Sequence, residues 1–135
     1  MRSHPKKSEA VRPSGAIKWI ARWLLRPKTV FLNSEFTRLM IERYCPGRGI
    51  EIGPGANPQA PADRTWYVDR YTTYHGKRMG VDVVADAGTL PFADGSLGFI
   101  VSSHVLEHTP NTLRVLRGWQ RALKPGGRLL LRLPH

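Results

Sequence analysis

The sequence predicts an α/β protein built on a doubly wound, mainly parallel sheet. Three observations lead there. Short apolar runs alternate with segments of helical spacing, the pattern of strands joined by crossovers. The first four runs end at glycines, acids or a Ser-Ser-His cluster, so polar residues collect along one sheet edge. The first run, Gly49-Ile50-Glu51-Ile52, opens directly into Gly53-Pro54-Gly55. Glycine at such a turn admits positive φ and lets a ligand approach the backbone.

Length and composition bound the rest. A chain of 135 residues with 41% hydrophobic content fits one soluble globular domain. No apolar run approaches the ~20 residues of a membrane span. The basic start, Met1 to Lys7, is not followed closely by the apolar core of a signal peptide. Cys45 is the only cysteine, so no intrachain disulfide forms, and a reducing, cytoplasmic setting is expected. The net charge of +11 is concentrated at the N-terminus: residues 1–32 hold eight Lys/Arg and one Glu, a net of +7, and residues 33–135 hold +4. Residues 1–32 are therefore set apart as a basic arm, and 33–135 as the folded domain. Such an arm suits an anionic membrane surface, or nucleic acid, as well as a solubilising role.

The elements follow in order. Residues 1–15 are polar with two prolines and read as disordered. Ala16–Arg26 places Ile17, Ile20, Ala21 and Leu24 on one helical face, flanked by Trp19 and Trp23 and opposed by Lys18, Arg22 and Arg26. This amphipathic helix can lie on a membrane or pack on its own domain. Asn33 or Ser34 is expected to cap a second helix that runs to about Tyr44 and stops at Cys45-Pro46-Gly47. Strand one is Gly49–Ile52. The proline-rich loop from Ala56 to Ala62 leaves little room for a helix. Strand two is Thr65–Val68, ending at Asp69. A short helical or irregular piece is expected over Tyr71–Met79. Strand three is Val81–Ala85, ending at Asp86. Asp94-Gly95 makes a turn into strand four, Leu97–Ser102. Asn111 caps a helix carrying Leu113, Leu116, Trp119, Ala122 and Leu123. Lys124-Pro125-Gly126-Gly127 ends that helix, and Arg128–Leu133 is strand five.

The chemistry-bearing residues all fall at the carboxyl edge: Gly53 and Gly55, then Asp69, then Asp86, then Ser102-Ser103-His104. An ionised carboxylate after strand two can accept hydrogen bonds from a ribose diol. Dinucleotide sites also need a third glycine three residues after the second, opening a phosphate-binding helix. Ala56-Asn57-Pro58 stands there instead, which favours a nucleoside without a pyrophosphate. As plain structure, Asp69 and Asp86 read as turn caps.

From Arg48 onward the chain resembles the class I S-adenosylmethionine-dependent methyltransferases. Glu51-Ile52-Gly53-Pro54-Gly55, Tyr67-Val68-Asp69, Asp86-Ala87-Gly88-Thr89-Leu90-Pro91-Phe92, Phe99–His108 and Leu123–Leu129 match that family's motifs in order. The resemblance implies a Rossmann-like fold and S-adenosyl-L-methionine as cofactor. It places Gly53 and Gly55 at the methionine part, with Glu51 orienting the loop or the amino group. Asp69 would take the ribose, and Asp86 with the Ala87 backbone the adenine. Ser103 and His104 would lie near the methyl sulfonium, and His104, Glu107 or His108 is a candidate base, with loop hydrogen bonding the plainer role for Glu107 and His108. The implied activity is methyl transfer to a small-molecule or glycan acceptor.

His104-Val105-Leu106-Glu107-His108 also spells His-x-x-Glu-His. A zinc site of that kind needs both histidines on one helix and a distant third ligand. Here a strand precedes the first histidine, Pro110 soon follows the second, and no acid lies beyond Glu107. No metal is assigned. Relatives of this class normally continue past strand five with a helix and two further strands, so an incomplete fold and self-association through the strand-five edge are expected. Two readings therefore stand side by side: a methyltransferase, or a non-catalytic nucleoside- or surface-binding module.

Overall fold

The computed structural model describes residues 29–134, with side chains from Ser34 onward. The basic arm up to Lys28, including the amphipathic helix expected over Ala16–Arg26, lies outside the described residues. The elements are α1 (Thr29–Tyr44), β1 (Gly49–Ile52), β2 (Thr65–Asp69), β3 (Thr73–Tyr74), β4 (Lys77–Arg78), β5 (Val83–Val84), β6 (Leu97–Ser103), a 3₁₀ turn (Leu106–His108), α2 (Thr112–Ala122) and β7 (Leu123–Arg132).

Five strands form one sheet in the order β5-β2-β1-β6-β7, and every pair is parallel. The chain thus winds outward from β1 in both directions, and the order reverses between β1 and β6. That switch point is where open α/β sheets bind ligands, beyond the carboxyl ends of the strands.

Side-chain alternation along the strands builds two cores. On one face, Ile50, Ile52, Val68 and Ile100 pack with Trp119 and Ala122 of α2. On the other, Phe99 and Val101 pack with Ile41 and Cys45 at the end of α1. The β1 and β6 runs read as almost continuously apolar because both faces are covered. Asn111 caps α2 as expected, its side-chain oxygen accepting from the Arg114 N–H at 3.0 Å.

Four expectations are corrected. Helix α1 begins at Thr29, so Asn33 and Ser34 lie inside it. In a helix interior these residues cost only a few tenths of a kcal/mol (roughly 0.5), too little to force a start. Tyr71–Met79 is neither helical nor irregular: it holds the antiparallel hairpin β3–β4, with Thr73 opposite Arg78 and Tyr74 opposite Lys77. His75 (φ 47°) and Gly76 (φ 74°) form its two-residue turn, both left-handed as a type I′ turn requires. Strand three is shorter than expected, Val83–Val84. Asp82 caps its start instead, its side chain accepting from the Tyr67 N–H at 2.8 Å. Strand five is longer than expected: β7 starts at Leu123, and Lys124–Gly127 bulge between the Leu97–Leu123 and Phe99–Arg128 pairs. β7 is the sheet's last strand, with Leu129 37% exposed. Among the described residues no helix is long and apolar enough to cross a membrane.

Candidate active site

A cleft of about 550 Å³ opens at the carboxyl edge across the switch point. Its size is within the roughly 300–1,000 Å³ usual for small-molecule sites. Gly53, Gly55, Asp69, Asp86, Ala87 and His104 all line it. Of the residues singled out in the sequence, Glu51, Ser102, Ser103 and Glu107 do not.

The two glycines of the first loop serve different ends. Gly53 has φ 68°, and a Cβ there would sit 2.3 Å from Cγ2 of Val105. It is glycine because β1's loop and the segment after β6 meet there. Gly55 has φ 59° and nothing within 4 Å of its would-be Cβ. The open space beside Gly55 is part of the cleft, so this is where a ligand can lie against the backbone.

Glu51 is 2% exposed and lies beneath the loop. Its carboxylate accepts from the Gln59 N–H at 2.9 and 3.0 Å and from the Ala60 N–H at 2.8 Å. Tyr67 of β2 secures the same turn by donating its hydroxyl to the Ala60 carbonyl at 2.6 Å. Burial pushes the Glu51 carboxyl up from its ordinary pKa, against the downward pull of these backbone donors. Glu51 thus orients the loop and makes no contact with the cleft.

Both aspartates cap turns and also face the site. Asp69 accepts from the Tyr71 N–H at 3.0 Å through one oxygen, and its other oxygen has no partner among the described residues. Asp86 accepts from the Gly88 N–H at 2.7 Å and pairs with the Arg70 guanidinium through its second oxygen. The Gly88 N–H and then Arg70 hold the Asp86 carboxyl below its ordinary pKa. The Ala87 carbonyl is fixed from behind by Nε1 of the fully buried Trp119, at 2.7 Å.

His104 follows β6 with φ 55°, a left-handed conformation that costs a non-glycine residue about 1–3 kcal/mol. Its backbone N–H donates to the Arg132 carbonyl at 3.0 Å, and its Nδ1 lies 3.4 Å from Oε1 of Glu107. The strained backbone and the carboxylate together aim the ring. Among the described residues no three His, Cys, Asp or Glu side chains converge as a metal site.

Several lining residues escaped the sequence reading, chiefly Tyr71, Tyr74 and Met79, whereas that reading includes His108 beside His104. The His75-Gly76 pair was the available signal for the hairpin that brings Tyr74 and Met79 to the cleft.

Sheet order, switch-point cleft and acidic strand ends define a Rossmann-like protein of the kind that binds a nucleoside cofactor. The profile of the methyltransferase domain family matches residues 36–131, and the chain belongs to that family. Its class is the class I S-adenosylmethionine-dependent methyltransferases, and S-adenosylmethionine is the cofactor of that class. Among solved structures, an S-adenosylmethionine-dependent methyltransferase from Thermotoga maritima, described as a possible histamine N-methyltransferase, is similar. It shares 26% identity at a TM-score of 0.57, over 85% of this chain and 56% of that one. An uncharacterized methyltransferase from Mycobacterium sp. (strain KMS) is 32% identical over 102 residues, 75% of this chain and 33% of the relative. An arsenite methyltransferase from Aquipseudomonas alcaligenes is 36% identical over 75 residues, 50% of this chain and 22% of the relative. The chain thus spans a third or less of the length of these two curated relatives.

Proposed function

We propose that this chain binds S-adenosylmethionine in the carboxyl-edge cleft and carries its methyl group to a small-molecule or glycan acceptor. One observation carries the reading above all: the open space at Gly55 shares a cleft with Asp69, whose second oxygen is unpartnered. The sulfonium supplies an activated methyl group that passes in line to a nucleophile, leaving a thioether. The residues of the chain position the reactants, which is the larger part of such catalysis. Gly55 admits the amino-acid portion beside the backbone. Asp69 accepts from the ribose hydroxyls, and Asp86 with the Ala87 backbone takes the adenine edge. His104, held by Glu107, is placed to take the acceptor's proton where the acceptor must lose one. A basic arm on the same chain suits a substrate near an anionic surface.

Calorimetry with S-adenosylhomocysteine tests the reading. Wild-type protein binds it, and Asp69→Ala weakens binding by about 1.5–3 kcal/mol, the worth of charge-assisted hydrogen bonds. Absence of binding to the wild type would sink the proposal, and unchanged affinity in Asp69→Ala would remove Asp69 from the site.

A further inference from the structure

The crossover from β2 to β5 is the least buried part of the cleft wall. From Arg70 to Arg78 every residue is exposed, and only Met79, at 7% exposure, anchors the hairpin to the body. Its N–H closes the hairpin base on the Thr72 carbonyl at 2.8 Å. Two tyrosines on this segment line the cleft while staying largely in water: Tyr71 is 62% exposed and Tyr74 57%. The core does not claim their rings. Tyr74 meets His75 edge-on at 4.3 Å and is paired across the hairpin with Lys77. Cross-strand partners share one face, so Lys77 stands on the same side as Tyr74, and Met79 two residues on repeats that side.

The charge of the segment has one sign. Between Asp69 and Asp82 there is no acid, while Arg70, Lys77 and Arg78 all fall there. Arg70 is engaged by Asp86. Lys77 and Arg78 have no ion-pair partner among the described residues. Exposed rings beside unpaired cations suit a ligand that joins a ring to a multiply charged anion. The ring stacks on tyrosine, and the anion draws the cations. A single carboxylate would leave half of this charge uncompensated, and a doubly charged phosphoryl group would not.

From this we infer that the β3–β4 hairpin is a docking element for a phosphorylated ring compound, of the nucleotide or sugar-phosphate kind, held at the cleft mouth next to the cofactor. This rests on the methyltransferase reading for its purpose, since the compound would be the acceptor or its carrier. The binding itself is separable from that reading.

Calorimetry of the full chain with uridine diphosphate as probe tests it, in the presence and absence of saturating S-adenosylhomocysteine. Uridine diphosphate binds in both conditions, uridine binds at least about tenfold more weakly, and raised salt weakens the diphosphate selectively. Lys77→Glu reduces diphosphate affinity about tenfold, while S-adenosylhomocysteine affinity stays at the wild-type value; Tyr74→Ala, on the cleft wall, also weakens the diphosphate about tenfold. Both side chains are exposed, so unchanged far-UV circular dichroism is expected and checks the fold. Three results would overturn the inference: no diphosphate binding at millimolar concentration, equal affinity in Lys77→Glu, or loss of diphosphate binding when S-adenosylhomocysteine saturates the cleft. Failure of S-adenosylhomocysteine to bind overturns the proposed function instead, and leaves the hairpin to be judged on the diphosphate arm alone.

Discussion

Two crossovers flank the cleft, both without a helix, and they are built in opposite ways. The first, from β1 to β2, is tied from within. A buried carboxylate accepts two of its backbone N–H groups, a tyrosine hydroxyl reaches its Ala60 carbonyl, and Val105 fills the space against Gly53. The second, from β2 to β5, projects into water on a pair of two-residue strands. A small hairpin of this kind is marginal by itself. The contrast divides the labour of the cleft. On the proposed reading, the wall beside the cofactor is preorganised, and the wall that carries the docking hairpin is left adaptable.

The comparison breaks most sharply at Gly53. Gly53→Ala combines a disfavoured positive φ with a Cβ 2.3 Å from Val105, which a β-branched side chain relieves only by turning in a packed site. The two effects together should cost about 2–6 kcal/mol, read as a loss in chemical denaturation. The same change at Gly55 meets no neighbour, so it should cost markedly less stability while impairing cofactor binding.

Glu51 comes next. Glu51→Ala leaves the Gln59 and Ala60 N–H groups without their acceptor under a buried turn, at a cost of about 1–3 kcal/mol. The carboxyl also makes a pH prediction. Its folded pKa lies above the unfolded value because burial disfavours the charge. The folded state therefore holds the proton more tightly. That contribution to stability is full below the unfolded pKa and is lost as pH rises through the folded one. Denaturation midpoints across mildly acidic pH should show this fall in the wild type, and Glu51→Gln should flatten it.

These two walls were unequally legible in the sequence. β1 and β6 were readable because their apolar runs are buried on both faces, and α2 because Asn111 is a side-chain cap. The roles of Glu51 and Gly53 were not readable to the same depth. An acid ahead of a glycine turn can point at a ligand or beneath the loop, and only the β1–β6 register shows that Glu51 pairs with Val101 in the interior. The hairpin was missed because Thr73-Tyr74-His75-Gly76 carries too little apolar periodicity for a strand. Its one signal was a residue before glycine in a type I′ turn, and histidine is not the residue usually found there. The proline-rich loop after Gly55 was read correctly as lacking a helix, since proline removes the donors a helix needs.

A smaller effect is expected at Arg70, where the hairpin crossover meets the turn after β5. Asp86 already has both oxygens engaged, by the Gly88 N–H and by Arg70. If the carboxylate accepts from adenine, Arg70 competes with the ligand for it. Exposed ion pairs are worth about 0–1 kcal/mol, so Arg70→Ala should tighten S-adenosylhomocysteine by up to about fivefold. Weaker binding would show that Arg70 contacts the ligand instead. Asp86 has its pKa lowered, so its favourable pairing is present above the ordinary carboxylate range and is lost as pH falls through the folded value. The advantage of Arg70→Ala should shrink accordingly in acid.

The smallest effect belongs to the hairpin turn itself. His75 sits at φ 47°, beside Gly76 at φ 74°. Asparagine enters this region more readily than histidine and with glycine makes the favoured type I′ pair. His75→Asn should therefore firm the hairpin by a few tenths of a kcal/mol, roughly 0.2–0.5. Because Tyr74, Lys77 and Arg78 are exposed and only Met79 ties the segment to the core, the gain should stay local. Amide hydrogen exchange at Tyr74 and Lys77 should slow, while global unfolding keeps its midpoint. A shift of the whole unfolding transition by 1 kcal/mol or more (about three times the local effect) would show that the hairpin is coupled to the sheet. The two walls would then be one rigid unit, and the adaptable role assigned to the second would have to be given up.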